Sequence, residues 1–164
     1  MKTIIYPLSR VDKRTIGKNL EIFLAGSIEM GLAGDWQTEV WNQIPNESSV
    51  IVYNPRRTDW DSSWVQSISN PQFYGQVNWE LDHIEKSQIV FFYFDPNTKS
   101  PISMMELGYV VANPNFYLDV VVCCPVGFWR KGNIDIMCER SSITVYEDID
   151  TAIETLLSLI EKSS

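Results

Sequence analysis

Ile89-Val90-Phe91-Phe92-Tyr93-Phe94 is an unbroken apolar run of strand-forming residues, followed by the turn residues Asp95-Pro96-Asn97-Thr98. Ser100-Pro101-Ile102-Ser103-Met104-Met105-Glu106-Leu107-Gly108-Tyr109 comes next. A strand with no polar alternation is buried on both faces, which places it centrally in a parallel sheet. The helix after it begins with Ser100 in the N-cap position and Pro101 at the first helical position, where a missing N–H costs nothing. Glu106 then lies about two turns into a helix among Met, Leu and Val. A carboxyl in such surroundings is costly unless it has a partner or a task. It caps neighbouring backbone, pairs with an arginine, or takes part in chemistry.

Toward the N-terminus, residues 1–20 form a polar lead-in with one short extended segment. Glu21-Ile22-Phe23-Leu24-Ala25-Gly26 is a second apolar run that stops at glycine, with Ser27 and Ile28 at its C-terminal end, where open α/β sheets bind ligands. Gly31, Gly34 and Asp35 make a turn, and Asp35 caps a helix carrying Trp36, Val40, Trp41 and Ile44 on one face. Ser49–Tyr53 is a further strand. It runs into Asn54-Pro55-Arg56-Arg57-Thr58-Asp59-Trp60-Asp61, a loop too polar and too aromatic to be core. That loop is either a charge-balanced exposed segment or a recognition element, with Trp60 and Trp64 as a wall for a flat ring.

The spacing predicts a helix over Phe73–Glu85, with Gln76, Asn78, Glu80, Asp82 and His83 among Val77, Trp79, Leu81 and Ile84. Beyond the central helix, Tyr117–Cys124 and Ser142–Tyr146 read as strands and Asp150–Glu161 as an amphipathic helix. The alternation of strand and helix implies an α/β, three-layer arrangement: a mainly parallel five-stranded sheet with right-handed crossovers. One domain over 1–164 is expected.

Composition excludes several classes. The net charge of −8 and a pI near 4.6 argue against a nucleic-acid polymer as partner, which demands a basic face. No apolar run is long enough to span a membrane, and no signal peptide is evident. Three cysteines, Cys123, Cys124 and Cys138, are an odd count on apolar segments and read as reduced thiols of a cytoplasmic protein. With a single histidine, His83, and no CxxC pair, no metal site is expected, nor any cofactor.

Phe23-Leu24-Ala25-Gly26-Ser27-Ile28, Gln76-Val77-Asn78-Trp79-Glu80-Leu81 and Ser100–Tyr109 together resemble the nucleoside 2'-deoxyribosyltransferase family, in the branch marked by Asn-Pro-Arg-Arg, here Asn54 to Arg57. The resemblance spans about residues 21–140. It implies a flavodoxin-like sheet, nucleosides and free nucleobases as partners, a role in purine or pyrimidine salvage, and a homo-oligomer with sites shared between subunits. Position by position, Glu106 matches the family's nucleophile and Glu80 an acid that handles the base. Asn133 matches an asparagine lent by a second subunit to the sugar's 5'-hydroxyl. Two positions depart from the family. Ser100 stands where better-known members carry an aspartate, and Ile22 or Phe23 where they carry a tyrosine. Without that aspartate, the proton for the departing base falls to Glu80, Asp82 or an acid of the 54–61 loop.

Cleaving an N-glycosidic bond requires a protonated or hydrogen-bonded leaving base and a carboxylate below C1', which goes on to form a glycosyl ester. On this reading Glu106 and Glu80 are catalytic. Gly26, Ser27, Asn54, Arg57, Asp59, Trp60, Asp61, Asn78, Trp79, Asp82, Ser100, Ser103 and Asn133 are the expected substrate contacts. Two rivals stand beside it. A hydrolase of nucleosides or nucleoside 5'-monophosphates would use Ser27, Ser100 and Ser103 as a phosphate cradle. A non-catalytic nucleotide-binding module would keep the pocket without the chemistry. A flavin-binding relative is disfavoured, because Glu29 directly after Gly26-Ser27-Ile28 repels phosphate.

Overall fold

The computed structural model describes residues 1–7, 9, 19–28, 33–57, 63–113, 116 and 118–163. Strands β1 (Thr3–Ile5), β2 (Leu20–Gly26), β3 (Val50–Tyr53), β4 (Ile89–Tyr93), β5 (Asp119–Cys123) and β6 (Val145–Tyr146) form one sheet. Helices α1 (Trp36–Gln43), α2 (Pro71–Lys86), α3 (Pro101–Ala112), α4 (Lys131–Arg140) and α5 (Ile149–Lys162) flank it. The strand order is β1-β3-β2-β4-β5-β6, and every neighbouring pair is parallel. From β3 to β6 this is the flavodoxin-like order with helices on both faces.

The alternation along each strand sorts the two cores. Phe23, Ala25, Tyr53, Val90, Phe92 and Val122 face α2, α3 and α4, meeting Ile84, Leu107, Val110, Ile134 and Cys138. Ile22, Leu24, Val52, Phe91 and Val121 face α1 and α5, meeting Trp36, Val40, Ile153 and Leu156. β4 is buried along nearly its whole length and pairs on both sides, as its unbroken apolar sequence requires.

The sheet has six strands where five were expected. The added one is the extended segment of the lead-in: Thr3–Ile5 pairs with Ile51–Tyr53 along the edge. Lys2 secures it from outside, its Nζ donating to the carbonyls of Trp41 (2.7 Å) and Ile44 (2.8 Å) at the end of α1. A cation there answers carbonyls that the helix leaves unpaired. Helix α4 escaped the sequence reading. Only Ile134 and Cys138 of it are buried, while Ile136 and Met137 point outward, so its apolar residues do not mark a single face. Helix α1 begins at its expected cap, Asp35 accepting from Thr38 N–H, while α2 begins two residues before the expected Phe73, capped by Asn70, which accepts from Phe73 N–H ahead of Pro71.

The chain leaves β2 toward β3 on one side, while β4 pairs on the other. This reversal opens a crevice at the C-terminal ends of β2 and β4, between α2 and α3.

Candidate active site

The crevice floor is built by the segments that leave β2 and β4. Gly26 has φ of 145°, and a Cβ there would lie 2.3 Å from the Tyr93 carbonyl oxygen, so only glycine brings the two strand ends this close. Ser27 follows. Its N–H donates to Tyr93 O at 2.9 Å and its carbonyl accepts from the Trp36 indole N–H at 2.9 Å. Its hydroxyl accepts from Asp95 N–H at 2.8 Å.

Three buried hydroxyls then close a triangle: Ser27 Oγ to Ser100 Oγ 2.5 Å, Thr98 Oγ1 to Ser27 Oγ 2.9 Å, and Thr98 Oγ1 to Ser100 Oγ 2.8 Å. The Asp95-to-Thr98 turn that places Thr98 is closed by Thr98 N–H to Asp95 O and by Asp95 Oδ1 accepting from Asn97 N–H. Ser100 occupies the N-cap position of α3, but its hydroxyl makes no capping bond, contrary to expectation. Its backbone is left-handed, φ 46° and ψ 51°, which turns the hydroxyl toward Ser27 and Thr98 instead. A residue before proline avoids the right-handed helical region.

Glu80 on α2 and Glu106 on α3 lie near enough for the charge of Glu80 to act on Glu106. Both are half-buried. Burial pushes the Glu80 carboxyl up to about 7, against the pull of the Gln76 amide, which donates to it at 2.7 Å. Burial and then the charge of Glu80 push Glu106 up to about 8. A pair in this condition exchanges protons near neutral pH, as acid–base work demands. The Gln76 N–H favours the ionised form of Glu80.

Gln76 is itself buried and held from the other side, its Oε1 accepting from Arg57 Nη1 at 3.2 Å. The Arg57 guanidinium lies 5.0 Å from the Trp64 ring centre. Arg57, Trp64, Gln76 and Trp79 border a small cavity of about 170 Å³ along α2. A larger cleft of about 480 Å³ lies toward the N-terminal ends of the strands, against Val110, Asp119 and Tyr146, away from the glutamates.

Not every expected contact lies in the crevice. Asn54 is buried, its Oδ1 accepting from Arg56 N–H at 2.9 Å, and so shapes the turn after β3. Arg56 donates to Gly34 O, Ala33 O and Gln37 Oε1, which makes it scaffold for the entry to α1. Trp79 packs on Phe23 and Tyr53, with ring centres 6.2 and 6.3 Å away, and lies tilted against His83 with ring centres 4.4 Å apart. Asn78 donates back to Tyr74 O on its own helix, and Asp82 is exposed. Ser103 is buried in the first turn of α3, one turn before Glu106. Asn133 is exposed near the start of α4. Asp59, Trp60 and Asp61 lie outside the described residues.

Two participants were missed in the sequence. Gln76 lies four residues before Glu80 on one helix, a spacing that puts both on one face and was legible. Thr98 carried no such signal, since its hydroxyl reaches Ser27 only because the turn after β4 abuts the end of β2.

A doubly wound parallel sheet with two coupled acids on the helices beside its strand ends is the architecture of a small-ligand α/β protein. The family model for nucleoside 2-deoxyribosyltransferase-like proteins matches residues 19–128, and the chain belongs to that family. That stretch contains Gly26, Ser27, Glu80, Ser100 and Glu106, and membership carries with it a nucleoside-handling function. No curated protein matches the chain significantly. Among the described residues, no helix is long and apolar enough to cross a membrane.

Proposed function

We propose that the chain, acting as one domain over 1–164, moves 2-deoxyribose between nucleobases through a glycosyl ester on Glu106. The coupled pair Glu80 and Glu106 on neighbouring helices is the observation that carries this reading, with carboxyls pushed up to about 7 and about 8 in a nucleoside-handling family. In the first half-reaction the C1'–N bond breaks, a Glu106 oxygen bonds to C1', and the Glu80 proton passes to the departing nitrogen. In the second, the nitrogen of an incoming base attacks C1', the ester bond breaks, and the proton of that nitrogen returns to Glu80. Two displacements retain the configuration at C1'. The productive monoanion carries its charge on Glu106, and the positive charge growing on the sugar draws it there.

An exposed apolar stripe supports an assembly of identical subunits. Ile102 and Met105 of α3, with Ile136 and Met137 of α4 and the nearby Val126 and Trp129, are all at least 38% exposed. Asn133 shares a helix face with Ile136 and Met137, so a second copy on that face would meet it. The free thiols Cys123, Cys124 and Cys138 are all buried, in keeping with a cytoplasmic protein.

A hydrolytic reading with a phosphate cradle is less well supported. Ser27 and Ser100, two of the three serines it needs, hydrogen-bond each other and Thr98 out of contact with solvent. The test is chromatography of a deoxynucleoside incubated with and without a second free base, for the protein and Glu106→Ala. A new deoxynucleoside that forms only with the acceptor, and not with the variant, is the expected result. Free base without exchange assigns a hydrolase, and no turnover of nucleoside or 5'-monophosphate assigns a binding module.

A further inference from the structure

Gln76 is an unlikely residue to bury without a purpose, because both ends of its amide must be satisfied away from water. Its two neighbours leave it one orientation. A guanidinium has only donors, so the amide end facing Arg57 at 3.2 Å is the carbonyl. The NH2 end is thereby aimed at Glu80 Oε1, 2.7 Å away. Arg57 is steadied in turn by the Trp64 ring. We propose that Arg57 and Gln76 form a donor relay that orients Glu80, reserving Oε1 as acceptor and leaving Oε2 as the oxygen that gives up and takes back the proton.

This rests on the proposed transfer reaction for its purpose, but not for its geometry. An amide N–H is better accepted by the carbonyl oxygen of a carboxylic acid than by its hydroxyl oxygen. A protonated Glu80 therefore carries its hydrogen on Oε2, and rotation of the carboxyl is blocked while Gln76 holds Oε1. Both are positioning residues, since neither reaches the reacting atoms. The groups that bear on Glu80 are Gln76 from its own helix and Glu106 from α3, with Arg57, from the segment after β3, acting through Gln76.

The relay has a signature that packing alone does not produce. A donor on Oε1 favours the ionised carboxyl, so its removal raises the pH at which Glu80 ionises. Selective 13C labelling of glutamate carboxyls reads that midpoint by NMR in the substrate-free protein, and loss of the signal in Glu80→Gln assigns it. Gln76→Met keeps the volume without the donor, and we expect a midpoint about one to two pH units higher. Arg57→Met frees the amide to flip, and is expected to shift the midpoint the same way but to add nothing in the Gln76→Met background. An unmoved midpoint in Gln76→Met overturns the relay. So does an Arg57→Met shift of equal size with and without Gln76, which would make Arg57 a direct electrostatic partner. If Gln76→Met fails to fold, Arg57→Lys against Arg57→Met decides: lysine, still a donor, keeps the midpoint, and equal midpoints refute the proposal. A protein that turns over no nucleoside leaves the titration unaffected, and a failed relay leaves the transfer reaction to stand on Glu106→Ala.

Discussion

Replacing Glu106 by glutamine should inactivate the protein and stabilise it, with the stabilisation present only at high pH. In the unfolded chain this carboxyl ionises at its ordinary value near 4.5, whereas in the folded protein burial and Glu80 hold it protonated up to about 8. Between those values the folded state binds a proton that the unfolded state has lost, so wild-type stability falls as pH rises through that window. Below it both states are protonated and the residue costs nothing. At 1.36 kcal/mol per pH unit the full shift sets a ceiling of about 5 kcal/mol. Water reaches a half-buried carboxyl, and we expect about half of that ceiling. Glutamine has nearly the same shape and no charge to bury. Urea unfolding of both proteins at about pH 4, 6, 8 and 9 measures the difference. The two curves should coincide at the lowest pH, separate through the window and stay about 2–3 kcal/mol apart above pH 8, with the variant more stable. A constant offset at every pH, or a wild type more stable at pH 9, would refute the reasoning.

Three further outcomes follow from the same geometry. Gly26→Ala places a Cβ 2.3 Å from Tyr93 O at a φ of 145°, and should cost about 3 kcal/mol or more in urea unfolding while weakening the Ser27 contacts behind it. Tyr53→Phe removes the 2.8 Å donor to the buried Glu21 carboxyl and should cost about 1–3 kcal/mol, most of it recovered when Glu21→Leu is added. Met105→Lys combined with Ile136→Lys charges the exposed stripe of α3 and α4, and should reduce the mass of the assembly in sedimentation equilibrium without lowering the melting temperature of the subunit.

The layout of the chain was legible because burial imposes a period. Ile89–Tyr93 had to be central once it showed no alternation, and Pro101–Ala112 had to be the helix after it once a proline followed a turn. Asp35 announced α1 by chemistry confined to one turn. The same locality explains what was missed. Helix α4 buries only Ile134 and Cys138, and a helix that leaves apolar residues in water does not declare its inward face. Asn54 shapes the turn after β3, and Trp79 packs on Phe23 and Tyr53 while bordering the small cavity along α2, contacts that composition does not announce.

What the sequence determined by itself is the order of elements apart from α4 and the edge strand β1, the glutamates on successive helices and the glycine that ends the first long strand, all features with short range along the chain. Only the tertiary structure decided that Ser100 turns away from its helix to join Ser27 and Thr98, residues brought together by a strand pairing that sets Ser27 beside Asp95, 68 positions along the chain. Only it decided that Glu80 and Glu106 share an environment in which each ionises near neutrality. The physical reason is common to both. Hydrogen-bond geometry and desolvation depend on what lies within a few ångströms in space, and in a parallel sheet those neighbours come from segments separated by whole crossovers.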